Sequence, residues 1–197
     1  MSEPTPDRSE PDGLDADVAN LVELAKRLRD ALRQKSQKLV LAESCTAGRV
    51  AATLSLLPGI SQWLCGSFVV YRNASKIAWL DVPASLLDDP QLGPVSPETT
   101  RLLAASALRH TPEASVAIAV TGDVGPGAAA ATDGIVFVAG TARTHAQSLG
   151  LIQAEKRIRL MSIAPRDTED LQARLARLDE TTRQVLSFAI ETIGLIP

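Results

Sequence analysis

The segment Leu39-Val40-Leu41-Ala42-Glu43-Ser44-Cys45-Thr46-Ala47-Gly48 constrains the fold of this chain more than any other. Four consecutive apolar residues between Lys38 and Glu43 read as a strand buried on both faces, as in a parallel sheet covered by helices. Beyond the polar turn, Val50, Ala51, Leu54 and Leu57 fall on one face of a helix that Pro58-Gly59 ends. This strand, turn and helix predict an α/β fold. Composition agrees, because 45% of the residues are hydrophobic but only 3% are aromatic, which suits aliphatic layers better than an aromatic-rich sandwich.

The same alternation continues on both sides. Residues 1–14, with Pro4, Pro6 and Pro11 among acids and serine, are expected to form a disordered tail, and residues 15–197 a single domain. From Asp17, Val18, Leu21, Leu24, Ala25, Leu28 and Leu32 recur at helical spacing. A second strand is predicted from Leu64 to Tyr71, then a short helix carrying Lys76, Ala78 and Leu80, then a loop from Asp81 to Pro94. Ser96-Pro97-Glu98 opens a helix to about His110, with serine as cap, proline in the first position and an acid in the first turn. Val116–Val120 and Ile135–Ala139 are further apolar runs, 146–164 is expected to pair as strand, and a helical stripe from Asp167 closes the chain as one helix or two.

Several function classes are disfavoured. A net charge of −3 gives no global basic field for nucleic acid, although a small anion needs only a few local donors. Two cysteines, Cys45 and Cys65, and two distant histidines, His110 and His145, have no metal-site spacing, so no metal or other cofactor is expected. No apolar run approaches the roughly 20 residues that span a bilayer. The first residues lack the basic start and apolar stretch of a secretion signal, which makes the cytoplasm the expected compartment.

The turn after the first strand lies where α/β proteins bind ligands, beyond the carboxyl end of a strand and at the start of a helix. Ser44 there is either a nucleophile, with the Cys45 and Thr46 amides as oxyanion donors, or a helix cap. Cys45 is either a rival nucleophile or a small buried apolar residue. Tyr71 and Lys76 are proton carriers for Ser44, or a strand-end tyrosine and a solvated lysine. The loop Thr121-Gly122-Asp123-Val124-Gly125-Pro126-Gly127 lets backbone approach a ligand or is an ordinary turn, and Asp123 would repel a nearby phosphate.

Taken in order, these pieces resemble the CinA C-terminal-domain family of nicotinamide-nucleotide amidohydrolases. The family's strand, E-S-C-T-G-G, helix and P-G pattern is matched from Leu39 to Gly59, with Ala47 replacing the first glycine. Its Y-x-N-x-x-K segment is matched by Tyr71, Asn73 and Lys76, its V-S helix start by Val95-Ser96, and its V-T-G-x-x-G-P turn by Val120-Thr121-Gly122 with Gly125-Pro126. The resemblance implies a three-layer α/β/α sandwich around a mixed, largely parallel sheet, frequent homo-oligomerisation, and hydrolysis of nicotinamide mononucleotide to nicotinate mononucleotide and ammonia. It implies Ser44, Tyr71 and Lys76 as catalytic residues, with the immediate base open between the last two. It implies Glu43, Cys45, Thr46, Gly48, Asn73, Thr121, Gly122 and Gly125 as substrate contacts. The chain departs from the pattern at Ala128–Ala131, at the missing G-D-R-x-x-V-R segment, and in a longer stretch from Arg143 to Arg177. A non-catalytic nucleotide-binding protein and an amidase for another small carboxamide are the alternatives.

Overall fold

The computed structural model describes residues 16–125, 128–143, 151–162 and 170–197. The expected disordered tail, Pro126 and Gly127 of the glycine turn, and parts of the stretches around 146 and 167 lie outside the described residues. Twelve elements are ordered as α1 Ala16–Gln34, β1 Leu39–Glu43, α2 Arg49–Ser55, a 3-10 turn Ile60–Gln62, β2 Leu64–Val69, α3 Asn73–Leu80, α4 Ala84–Leu87, α5 Pro97–His110, β3 Val116–Gly122, β4 Ile135–Arg143, β5 Leu151–Arg159 and α6 Leu171–Gly194.

The strands form one sheet in the order β2-β1-β3-β4-β5. β1 pairs in parallel with β2 and β3, and β4 pairs antiparallel with both β3 and β5. Four of the five described strands therefore run in one direction, against β4. Two layers of helix cover the sheet, because alternate residues of each strand point to opposite faces. Leu39, Leu41, Val116, Ile118, Val120, Val136 and Val138 pack with α1, α2 and α6 on one side. Val40, Ala42, Ala117, Ala119 and Ala139 pack with Leu103, Ala104 and Ala107 of α5 on the other, where the run of alanines lets that helix sit low. On the first side α6 comes close at Gly140, where a Cβ would lie 2.8 Å from Thr192 Cγ2.

Local signals account for most element ends. Ser96 Oγ accepts from Thr99 N–H at 3.2 Å, and Pro97 takes the first helical position of α5. Two expectations change. The Asp81–Pro94 loop contains one turn of helix, α4, and β2 ends at Val69 rather than Tyr71. Among the described residues no helix is long and apolar enough to cross a membrane.

The connections from β1 place the site. β1 leads through α2 to β2 on one side of it, and β2 returns through α3 and α5 to β3 on the other. Such a switch point opens a crevice at the carboxyl ends of the strands. Ser44 follows β1, Tyr71 lies two residues beyond β2, and Gly122 ends β3.

Candidate active site

Glu43 organises the turn. Its buried carboxylate accepts from Thr46 Oγ1 at 2.8 Å, Gly48 N–H at 3.0 Å and Val50 N–H at 3.1 Å through one oxygen. Through the other it accepts from Ala51 N–H and Ser67 Oγ, both at 3.0 Å. The acid thus satisfies the free amides at the start of α2, where its charge also complements the helix dipole. Glu43, Thr46 and Gly48, expected as substrate contacts, are instead the internal brace of the turn and do not line the cavity described below. The brace also answers the question about Ser44: capping is done by Glu43, and the Ser44 hydroxyl has no hydrogen-bond partner among the described residues.

Ser44 opens onto a cavity of about 330 Å³ at the ends of β1, β2 and β3. Cys45, Tyr71, Asn73, Lys76, Gly122 and Gly125 also line it, so most residues singled out in the sequence meet here. Thr121 does not, because its hydroxyl pairs with Thr100 Oγ1 at 2.8 Å inside the protein. Gly122 is held tightly. A Cβ there would meet Val136 Cγ2 at 2.8 Å, Ile135 O at 3.1 Å and Cys45 Sγ at 3.2 Å, which leaves room for glycine alone.

Lys76 is the least expected of these side chains. Far from being solvated, it is 2% exposed, and its Nζ makes one long hydrogen bond, 3.5 Å to Tyr71 O. Burial holds the amine below the usual lysine range, while the nearby Cys45 sulfur pulls the other way. Cys45 shows the converse effect. Burial, with smaller contributions from the Glu43 and Asp123 charges, pushes its thiol up to about 12, although its own amide and Lys76 oppose the shift. A thiol protonated across the neutral range is a poor nucleophile, which counts against Cys45 as the attacking group.

Tyr71 sits at the mouth. Its side chain is 53% exposed and its hydroxyl accepts from an Arg174 guanidinium N–H at 3.3 Å. The structure forms no direct hydrogen bond from Ser44 Oγ to Tyr71 or Lys76, although all three line one cavity. Arg174 and the carboxylate-bearing Asp123 complete the polar wall. Neither was singled out as a ligand contact, since Arg174 comes from α6, remote in sequence, and no local pattern announces it. Among the described residues no group of three or more His, Cys, Asp and Glu side chains is arranged to hold a metal ion.

The first half of α6 ties the walls together. Arg177 donates to both Asp133 oxygens, at 2.6 and 2.9 Å, and anchors the segment after the glycine turn. Asp179 pairs with Arg49 at the start of α2. Glu180 accepts from the Met161 and Ser162 amides at 2.8 Å and from the Ser162 hydroxyl, fixing the exit of β5.

This arrangement can be set against known proteins. The model of the CinA C-terminal domain family matches residues 21–167. The chain belongs to this family. Among curated CinA relatives, a CinA-like protein from Chlorobium phaeovibrioides is 41% identical over 128 residues, covering 64% of this chain but 29% of that protein. The chain thus corresponds to under a third of that relative's length. A protein from Pseudomonas putida named nicotinamide-nucleotide amidohydrolase PncC is 37% identical over 118 residues, 59% of this chain and 72% of its own. Among solved structures, the competence/damage inducible protein CihA from Agrobacterium tumefaciens superposes with a TM-score of 0.72 at 30% identity, over 88% of this chain and 95% of that one. The competence damage-inducible protein A from Klebsiella pneumoniae gives 0.72 at 23% identity, over 89% and 98%, and supports the fold.

Proposed function

We propose that this CinA-family chain, with residues 15–197 acting as one domain, hydrolyses the carboxamide of nicotinamide mononucleotide to give nicotinate mononucleotide and ammonia. The observation that carries the reading is the buried Lys76 amine, held below its usual range in the cavity where an uncommitted serine hydroxyl opens. A buried amine that loses its proton readily is a base matched to a serine nucleophile. The Pseudomonas relative's name supplies the substrate class.

In this mechanism Lys76 takes the Ser44 proton as Oγ attacks the carboxamide carbon. The Cys45 amide, which donates to no backbone carbonyl among the described residues and belongs to a residue that lines the cavity, stabilises the resulting oxyanion. The adduct collapses with cleavage of the C–N bond, and the Lys76 ammonium protonates the departing nitrogen, which leaves as ammonia. Water then attacks the acyl ester, giving its proton to Lys76, and collapse of the second adduct returns that proton to Ser44 as the acid product departs. Tyr71, whose hydroxyl sits on Arg174 at the mouth, is assigned to substrate positioning rather than to the first proton transfer.

The test is ammonia release from the mononucleotide by purified chain. Ser44→Ala should reduce turnover by at least a thousandfold, whereas Cys45→Ala should retain it. A folded protein that releases no ammonia, or a Ser44→Ala variant that keeps its rate, refutes the proposal. Release from unrelated carboxamides at equal rates favours an amidase of different substrate.

A further inference from the structure

The cavity wall carries two opposite charges, Asp123 and Arg174, that have no ion-pair partner among the described residues. Asp123 is fixed through its backbone, its N–H donating to Ile135 O at 3.0 Å and its carbonyl accepting from Gly134 N–H at 2.8 Å. Its carboxylate has no hydrogen bond or ion pair among the described residues, yet lies near enough to Cys45 for its charge to act on that thiol. This puts the acid beside the reacting end, next to the turn that carries Ser44.

Arg174 lies at the mouth. Its guanidinium touches the exposed Tyr71 hydroxyl at 3.3 Å and pairs with no carboxylate among the described residues, whereas Arg177 and Arg49 are each matched to an acid. Asp123 and Arg174 are not within ion-pair distance of each other, although both line the cavity. An unmatched acid at one place and an unmatched guanidinium at another suit a ligand that brings both complements. A neutral carboxamide needs neither charge, and a simple anion would be repelled by the carboxylate. A ribotide of a pyridinium carboxamide supplies a cationic ring beside its amide and an anionic phosphate at the far end of its ribose.

We infer that the cavity is selective for such a zwitterion, with Asp123 facing the cationic ring and Arg174, steadied by Tyr71, holding the phosphate. The inference rests on the function proposed above and names what that site reads. It also accommodates the expectation that Asp123 would repel a nearby phosphate, because the phosphate is placed at the other end of the cavity.

The test uses the full chain carrying Ser44→Ala, so that ligands stay intact, with calorimetric binding of three compounds. These are nicotinamide mononucleotide, its riboside without phosphate, and its dihydro form with an uncharged ring. Adding Arg174→Met should weaken the mononucleotide and the dihydro form about 10- to 100-fold, the range expected for a lost charge-assisted hydrogen bond, and the riboside far less. Adding Asp123→Asn should weaken the mononucleotide and the riboside about 3- to 10-fold and spare the dihydro form, as for loss of a partly screened charge pair. Equal losses for phosphorylated and unphosphorylated ligands with Arg174→Met, or for charged and uncharged rings with Asp123→Asn, overturn the inference. So does a folded Ser44→Ala protein that binds none of the three. If the ligand pattern holds while the unsubstituted chain releases no ammonia, the hydrolysis fails and the zwitterion site stands. The opposite outcome leaves the hydrolysis and removes the site.

Discussion

Replacing Lys76 by methionine should make the protein more stable and catalytically dead. The amine is 2% exposed and its hydrogen bonding among the described residues amounts to a 3.5 Å contact with Tyr71 O, so the protein it is packed in meets little of its donor capacity. A buried polar group in that condition costs about 1–3 kcal/mol, and methionine fills nearly the same volume without it. At about 2–4 °C per kcal/mol for a chain of this size, Tm should rise by roughly 2–12 °C. The sign with pH follows from linkage. Because the folded-state pKa lies below the ordinary lysine value of 10.5, the unfolded chain holds a proton that the folded chain has lost between those two values. The parent therefore gains stability as pH rises through that window, by at most about 1.4 kcal/mol per pH unit. The advantage of Lys76→Met should be full below the folded pKa and should shrink as pH approaches 10.5. Urea melts of both proteins across this range, run in a Cys45→Ala background because Lys76 itself acts on the Cys45 thiol, measure the difference. A variant less stable than the parent at neutral pH, or a difference that does not vary with pH, refutes the reasoning.

Three further substitutions probe the frame of the site. Glu43→Gln turns one acceptor oxygen into a donor, and whichever oxygen is lost, at least two of the five present donors lose their acceptor; urea melts should show a loss of about 2–4 kcal/mol. Gly122→Ala forces a methyl to within 2.8 Å of Val136 Cγ2 and 3.2 Å of Cys45 Sγ, so it should cost about 1–3 kcal/mol in melts and lower turnover by displacing the turn that carries Ser44. Arg177→Met strips Asp133 of both its hydrogen bonds, and steady-state kinetics should show KM rising more than kcat falls as the segment after the glycine turn loosens.

What the sequence disclosed and what it hid differ in range. The apolar run of β1, the turn after it and the Ser-Pro-Glu start of α5 are local signals, and each appears where it was expected. That Ser44, Asn73, Gly122 and Gly125 share one cavity was legible for the same reason, since position beyond a strand end follows from a short stretch of residues. Glu43, Thr46 and Gly48, expected as ligand contacts, brace the turn instead of lining the cavity, because an acid at a strand end followed by a helix serves equally well as a cap, and only the direction of the carboxylate separates the two. The one-turn helix α4 escaped because a stretch with Pro83, Pro90 and Pro94 signals loop more strongly than four residues signal helix. Burial of Lys76 and the arrival of Arg174 depend on how α3 and α6 settle on the sheet, and neither leaves a local trace.

The polar side chains along the first half of α6 bear on how this chain tolerates divergence. One rigid helix grips α2 through Asp179, the segment around Asp133 through Arg177 and the end of β5 through Glu180. Geometry at the cavity is therefore dictated by where the helix lands and is decoupled from the length of backbone that leads to it. Substitutions elsewhere that keep the partners of Asp179, Arg177 and Glu180 should therefore leave the cavity walls in place.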